Sequence, residues 1–265
     1  MAAELDIVRL KVTRAEKHFE DFKAEVGVGP NARKLRDAAY TEIDYHAGTL
    51  TYISLAPIPS PEARVILGDS IHQLRSALDH MVCALAMRTN PRSVCEDSKL
   101  QFPIFKAPKD FASDWRVSKG VYEKLLGKAE CAEIEQCQPY ILNPATPEDH
   151  PLYILTTLDN LDKHRLVLVV EQAVRLKGSI VTVGKYEAMP NKASFDSGKQ
   201  PLQNGRYTMQ VQKPNEPHGI EHESPEPYIV FTETDGICDN RSAFPLFREM
   251  AKAVKDTIAR FDKFF

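Results

Sequence analysis

The residues best suited to chemistry are concentrated in one predicted helix, in the run GDSIHQLRSALDH that spans Gly68–His80. At about 100° per residue, one stripe of this helix carries His72, Arg75 and Asp79, and the neighbouring stripe carries Asp69, Ser76 and His80. No Lys or Glu occurs between Val65 and Ala86, although these residues usually cover the solvent-facing side of a helix. This composition predicts a face that serves hydrogen bonding or acid–base chemistry. A solvated face with weak i,i+4 pairs is the alternative.

A second polar cluster lies where another predicted helix ends and a strand begins. It comprises Asp159, Asp162, Lys163, His164 and Arg165. The bases complement the negative end of the helix dipole, but the two acids do not. A pairing with Arg75 or with the histidines of the first cluster would compensate these acids. We therefore predict that the two clusters meet in one polar site, with an isolated helix terminus as the alternative.

The combined side chains suit metal-free cleavage of RNA. Histidine acts as a general acid and base near neutral pH, and arginine holds a phosphate or a developing negative charge. The candidate catalytic residues are Arg75, His80 and His72, and the candidate substrate-binding or supporting residues are Asp69, Asp79, Asp159, Asp162, His164 and Arg165. No cofactor is expected. A non-enzymatic binding or structural protein, in which the same residues form a buried packing network, is the alternative.

A metal site is a further alternative, because His and Asp side chains bind zinc, manganese or iron. His72 and His80 are eight residues apart in the sequence, which on a regular helix means about 80° of rotation and roughly 12 Å of rise. These two side chains cannot ligate the same ion, so no metal ligand is assigned.

Two helices with heptad-spaced apolar residues would position the first cluster. The helix predicted over 4–26 presents Leu5, Val8, Val12, Ala15, Phe19, Phe22 and Val26, and the helix predicted over 60–88 presents Leu67, Ile71, Leu74, Leu78, Met81 and Leu85. Alternating spacings of three and four predict helices that pack at a shallow angle in a bundle. Ser60 can cap the second helix, and Pro61 suits its first position. Gly68 costs this helix roughly 1 kcal/mol relative to Ala, which indicates a close approach by another backbone or a ligand.

The rest of the chain adds further helices and strands. Helical segments are predicted over 118–164 and 243–265, and β segments over 35–56, as a hairpin, and 166–234. The run Phe102-Pro103-Ile104-Phe105 is predicted to be a buried anchor in an otherwise irregular stretch. We expect an α+β fold in a single domain, 1–265, in which a mainly antiparallel β-sheet packs against the helical bundle.

Composition narrows the class of protein. The 265 residues carry 34 Lys+Arg and 37 Asp+Glu, a net charge of −3, so an extended basic surface for nucleic acid is not expected. Contact with RNA would be confined to the local polar site. No window approaches the roughly 18 apolar residues of a membrane helix, so no membrane association is expected. Five cysteines without a C-x-x-C pair fit a reducing compartment, and we predict a cytoplasmic protein.

Three motifs together resemble an uncharacterised family of bacterial and phage-associated proteins. They are the pattern G-D-x-x-H-x-L-R-x-x-L-D-H starting at Gly68, the run Gln138-Pro139-Tyr140, and the run Asp162-Lys163-His164-Arg165. The resemblance covers most of the chain from about residue 60 to 170, and it implies no particular function.

The spacing of Arg75 and His80 is similar to the R-x4–6-H motif of HEPN-domain ribonucleases. Those proteins are helical bundles that cut RNA without a metal, using Arg and His from paired protomers at a dimer interface. The resemblance implies that Arg75 binds phosphate, that His80 is the acid and base, and that the protein forms a homodimer.

Overall fold

Helices dominate this structure, a computed structural model. It describes the backbone of residues 2–27, 39–44, 49–54, 59–89, 100–164, 168, 170–175, 177–182, 191–196, 205–210, 218–222, 226–232, 234, 236–238 and 241–265. Side chains are described for residues 4–27, 59–88, 100–163, 168, 170, 229–232, 234, 236–238 and 241–265.

The described helices follow one another in chain order, with four long ones and a run of short ones between them. They are α1 (Ala2–Glu25), α2 (Pro61–Thr89), α3 (Pro108–Ser113), α4 (Trp115–Ser118), α5 (Val121–Leu125), α6 (Lys128–Gln136), α7 (Pro139–Leu142), α8 (Pro151–His164) and α9 (Ala243–Phe261). Single turns of 3-10 helix precede α8 at Pro147–Asp149 and follow α9 at Asp262–Phe264.

Helices α1 and α2 form the most extensive contact in the described part of the chain, and they run antiparallel. The hydroxyl of Ser60 donates to Glu25 at 2.8 Å, and Lys11 Nζ donates to Ser76 Oγ at 3.0 Å, so the end of α1 lies beside the start of α2. Both predicted apolar seams are confirmed, because all of their residues are buried except Val26, which is partly buried. The predicted cap is also present, since Ser60 Oγ accepts the backbone N–H of Ala63.

Helices α8 and α9 complete the bundle around α2. Leu152, Leu155 and Leu158 of α8 are fully buried. The apolar stripe of α9 reaches α1, where the rings of Phe19 and Phe247 stack with their centroids 3.8 Å apart. Helix α2 is therefore in contact with helices on several sides.

Residues 100–150, called the insert below, lie between α2 and α8 and consist mainly of the short helices α3–α7. The predicted anchor is confirmed, because Phe102, Pro103 and Ile104 are buried, and Phe102 meets Phe261 of α9 edge to face. The stretch before residue 118 is less irregular than predicted, since α3 and α4 lie within it.

The described strands are short. They are β1 (Ala39–Asp44), β2 (Thr49–Ser54), β3 (Val170–Arg175), β4 (Lys177–Thr182), β5 (Asn191–Asp196), β6 (Gly205–Gln210), β7 (His218–His222) and β8 (Glu226–Phe231). Their backbones pair antiparallel in three separate groups, β1-β2-β6, β3-β8 and β5-β4-β7. Ile229, Val230 and Phe231 of β8 are buried. Among the described strands, β8 is the one that makes more than a marginal contact with a helix, and that helix is α9.

The predicted α+β fold, with a mainly antiparallel sheet packed against the bundle, is wrong. Among the residues whose backbone and side chains are both described, 76% lie in helices. These residues include one isolated strand and no sheet. The physical reason lies in α2, whose apolar sides are already covered by α1, α8, α9 and the insert. A helix buried in this way leaves no apolar face on which a sheet could pack.

Candidate functional site

The first predicted cluster is divided among three neighbours of α2. His72 points to α8, Arg75 and Asp79 point to the insert, and Ser76 with His80 lies toward α1. The first stripe read from the sequence is therefore divided, because His72 meets α8 whereas Arg75 and Asp79 meet the insert.

Arg75 and Asp79 hold the backbone of Phe102. The guanidinium donates to Asp79 Oδ1 at 2.6 Å and to the carbonyl oxygen of Phe102 at 2.8 Å. The same Asp79 oxygen accepts the backbone N–H of Phe102 at 2.8 Å. Arg75 is 6% exposed. The pair thus satisfies both backbone groups of one buried residue, as a neighbouring strand would.

The carboxyl of Asp79 is a weaker acid than usual in spite of the neighbouring arginine. Burial raises the pKa of the Asp79 carboxyl above its usual range, and the charge of Arg75 and the N–H of Phe102 offset part of this effect. The ion pair therefore reduces the cost of burying Asp79 without removing it.

Gln138 holds the other end of the same anchor. Its side-chain nitrogen donates to the carbonyl oxygens of Pro103 and Ile134 at 2.8 and 3.0 Å, and its side-chain oxygen accepts the N–H of Phe105 at 3.0 Å. In the sequence, Gln138 belongs to a motif of the resemblance but has no predicted role. Its partners are backbone atoms, which leave no signature in the sequence.

The second group joins α2 to α8. His72 Nδ1 lies 2.8 Å from Asp159 Oδ1, and Lys163 Nζ lies 2.6 Å from Asp159 Oδ2. Asp159 is 2% exposed. Because a carboxylate only accepts hydrogen bonds, Nδ1 of His72 carries the proton and donates it. The acid that sequence analysis found misplaced at the end of α8 is therefore compensated by a histidine of the first cluster.

Asp162 lies against Gly68, where a Cβ atom on residue 68 would stand 2.7 Å from Asp162 Oδ1. A close approach at Gly68 is present as predicted, but the approaching group is the side-chain carboxylate of Asp162 and not the predicted backbone or ligand. Burial raises the pKa of Asp162, the charges of Asp159 and Asp69 raise it further, and a hydrogen bond from the backbone N–H of Leu168 lowers it in part.

His80 is exposed and forms a local contact. Its Nδ1 lies 2.9 Å from the carbonyl oxygen of Ser76, four residues earlier, so this nitrogen donates to the carbonyl. Lys11 of α1 donates to the hydroxyl of Ser76 at 3.0 Å. His80 and Arg75 thus face different surroundings, one at the surface and one in the interior.

The two predicted clusters meet in part. His72, Asp159 and Asp162 come together with Gly68, whereas Arg75 and Asp79 face the insert. Two groups of the predicted site, Arg165 and the side chain of His164, lie outside the part of the chain that the structure describes.

The polar clusters lie apart from the cavities described in this part of the chain. Two cavities are described, one within the insert and one between α1 and α9, and neither is lined by a residue of the two polar clusters. The described residues contain no group of three or more His, Cys, Asp or Glu side chains placed to hold a metal ion. Of the three candidate catalytic residues, His80 is exposed and the side chain of His72 is 45% exposed, whereas Arg75 is buried.

Comparison with known proteins gives no further guide, since no protein-family model, curated protein or solved structure matches this chain. Within the part of the chain that is described, no helix has the length and apolar character needed to cross a membrane.

Proposed function

We propose that this chain is a non-enzymatic binding or structural protein, and that its polar clusters form a packing network. The observation that carries the proposal is the state of Arg75, which is 6% exposed and donates to both Asp79 and the carbonyl of Phe102. Breaking a buried ion pair costs about 3–5 kcal/mol, so this guanidinium is not free to bind a phosphate.

The motif residues support the proposal because they contact one another or buried backbone. Arg75 and Asp79 hold Phe102, Gln138 holds Phe105, and His72 contacts Asp159. The contacts of Arg75, Asp79 and His72 fasten the insert and α8 to α2, and the contact of Gln138 orders the insert itself. A network of this kind orders the fold, and it requires no reaction to account for its residue types.

The test compares stability with RNA cleavage in the full chain. Arg75→Ala should lower the free energy of unfolding by about 3–5 kcal/mol, and neither this variant nor the unaltered protein should cut single-stranded RNA in the presence of EDTA. Arg14→Ala, at an exposed arginine of α1, is the matched control and should leave stability within about 0.5 kcal/mol. Metal-independent cleavage that Arg75→Ala abolishes without lowering the melting temperature would overturn the proposal.

A metal-independent endoribonuclease of the HEPN-like kind is the second candidate, and one observation favours it. The Nδ1 of His72 is held by the buried carboxylate of Asp159, while the ring is half exposed and its Nε2 has no partner among the described residues. A histidine oriented by a carboxylate is the arrangement that general bases use in many enzymes. Its occurrence as a simple helix-to-helix contact is equally consistent with the first proposal.

This candidate is tested at the exposed histidines. If the protein is a ribonuclease, His72→Asn and His80→Asn should reduce cleavage of single-stranded RNA at least about a hundred-fold, whereas His18→Asn on α1 should not. Sedimentation velocity on the same samples tests the homodimer that the motif resemblance implies. Unchanged cleavage in both variants, or no cleavage by the unaltered protein, rules this candidate out.

A further inference from the structure

The insert contains a cavity of about 500 Å³. Its inner wall is formed by Phe111, Tyr122 and Ile134, all of which are buried. The other lining residues include exposed polar side chains, and volumes of about 300–1,000 Å³ are typical of small-molecule sites. The cavity shares no residue with the polar clusters, so an inference about it is independent of the function proposed above.

The apolar wall is held in place by neighbouring rings. The ring of Phe111 meets Phe105 and Tyr140 edge to face, each with centroids 6.3 Å apart. The hydroxyl of Tyr122 donates to the carbonyl oxygen of Gln101. A wall fixed on both sides in this way is formed before any ligand arrives, which lowers the entropy that binding must overcome.

One face of α6 supplies most of the polar rim. Lys128, Cys131, Ala132 and Glu135 all line the cavity. Spacings of three and four place these residues on the same side of the helix. Glu123 of α5 lines the cavity as well, so two acids and one base are present among the described lining residues.

The electrostatic balance of the rim is negative. Glu123 has no ion pair among the described residues, and Glu135 accepts only a long bond of 3.5 Å from the hydroxyl of Tyr140. Burial, with the added charges of Glu123 and Glu130, raises the pKa of the Cys131 thiol to about 11. The thiol is therefore neutral at pH 7, and the ionised groups of the wall favour a cation.

We propose that this cavity binds a small organic ammonium ion with a flat apolar body. The apolar body would lie against Phe111 and Ile134, and the ammonium group would lie near Glu123 and Glu135. An anionic ligand of the same shape would meet two carboxylates and only one ammonium, that of Lys128.

The chain carries its own reporter for binding. Trp115 is the sole tryptophan, and it belongs to α4, whose Val117 and Ser118 line the cavity. Titration with phenethylamine should change the tryptophan emission with a Kd of about 1 mM. The neutral analogue 2-phenylethanol should bind about five-fold more weakly, which is the scale of a partly exposed ion pair, and 3-phenylpropionate should bind more weakly still.

Three variants complete the experiment. The double variant Glu123→Gln/Glu135→Gln should bind the amine and the alcohol equally, and Ala132→Phe should block both probes by filling the cavity. Glu148→Gln, at an exposed glutamate outside the cavity, should behave like the unaltered protein. Circular dichroism melting shows whether each variant is folded.

Three results would overturn the proposal. They are no saturable binding of any probe up to about 10 mM, equal binding of amine and alcohol by the unaltered protein, and an amine preference that persists in the double glutamine variant.

Discussion

The carboxylate oxygens of Asp162 lie 2.7 and 2.8 Å from the point where a Cβ atom on residue 68 would stand, so any side chain at position 68 would displace this carboxylate. Gly68 is buried and lies within the second turn of α2. Glycine at this position lowers the intrinsic stability of α2, but it leaves room for the contact between α2 and Asp162 of α8.

A double-mutant cycle tests this relationship. Gly68→Ala alone should lower the free energy of unfolding by about 1 kcal/mol, because the new Cβ displaces Asp162 from the N–H of Leu168. In an Asp162→Ala background the same change should raise it by about 1 kcal/mol, the intrinsic helix preference of alanine over glycine. Urea denaturation of the four proteins measures both effects. The same change in both backgrounds would show that the contact has no energetic weight.

The pH dependence of stability should report on Asp162. Its pKa is raised in the folded state, chiefly by burial, so ionisation above the folded pKa destabilises the protein. Asp162→Asn, which keeps an acceptor for the N–H of Leu168, should therefore increase the melting temperature at pH 7. This gain should shrink as the pH falls and disappear below the unfolded value near 3.8, where the acid is protonated in both states.

The control for this pH experiment is Asp21→Asn, at an exposed aspartate of α1. It should leave the melting temperature nearly unchanged at each pH. A stabilisation by Asp162→Asn that grows toward low pH would contradict the assigned direction of the pKa shift.

Gln138 should be among the most sensitive polar residues of the insert. Gln138→Leu preserves most of the side-chain volume but leaves the N–H of Phe105 and the carbonyl of Pro103 without their partner. Each unsatisfied buried group costs about 1–3 kcal/mol, so the free energy of unfolding should fall by about 2–4 kcal/mol. Gln136→Leu, at an exposed position two residues earlier, should change it by less than about 0.5 kcal/mol. Equal losses in both variants would indicate a general effect of added apolar surface.

The cap of α2 gives a smaller effect. Ser60→Ala removes the hydroxyl that accepts the N–H of Ala63 and donates to Glu25. The loss should be about 1 kcal/mol in thermal or chemical denaturation. Ser60→Asp restores an acceptor for the Ala63 N–H but places a second carboxylate beside Glu25, so it should recover only part of the stability. Full recovery would show that the contact with Glu25 contributes nothing.

The bundle could be predicted from the sequence because its signals are local. Spacings of three and four place Leu67, Ile71 and Leu74 on one face whatever else the chain does, and these residues are fully buried. The sheet could not be predicted correctly, since alternating residues indicate strands without showing whether separate strands join or what covers them. The insert was equally hard to predict, because its helices α3, α4 and α5 are too short to show a clear period.

The candidate site was predictable only where both partners are side chains. The pairing of Asp159 with a histidine of α2 followed from an acid misplaced at a helix end, and the structure places His72 there. The engagement of Arg75 and Asp79 with Phe102 did not follow from the sequence, because a backbone N–H and a carbonyl are present at nearly every position. The guanidinium of Arg75, which suggested a phosphate site, thus binds the backbone of Phe102.

Side chains hold the backbone of residues 102–105, and we therefore expect the insert to unfold locally as a separate unit. Its attachment to α2 includes the amide of Phe102, which is bonded to Asp79, whereas the amide of Phe105 is bonded to Gln138 within the insert itself. Local opening of such a unit needs less free energy than global unfolding. Hydrogen–deuterium exchange at the Phe102 amide should therefore be faster than in the middle of α2, and it should record each departure of the insert while the four long helices remain assembled.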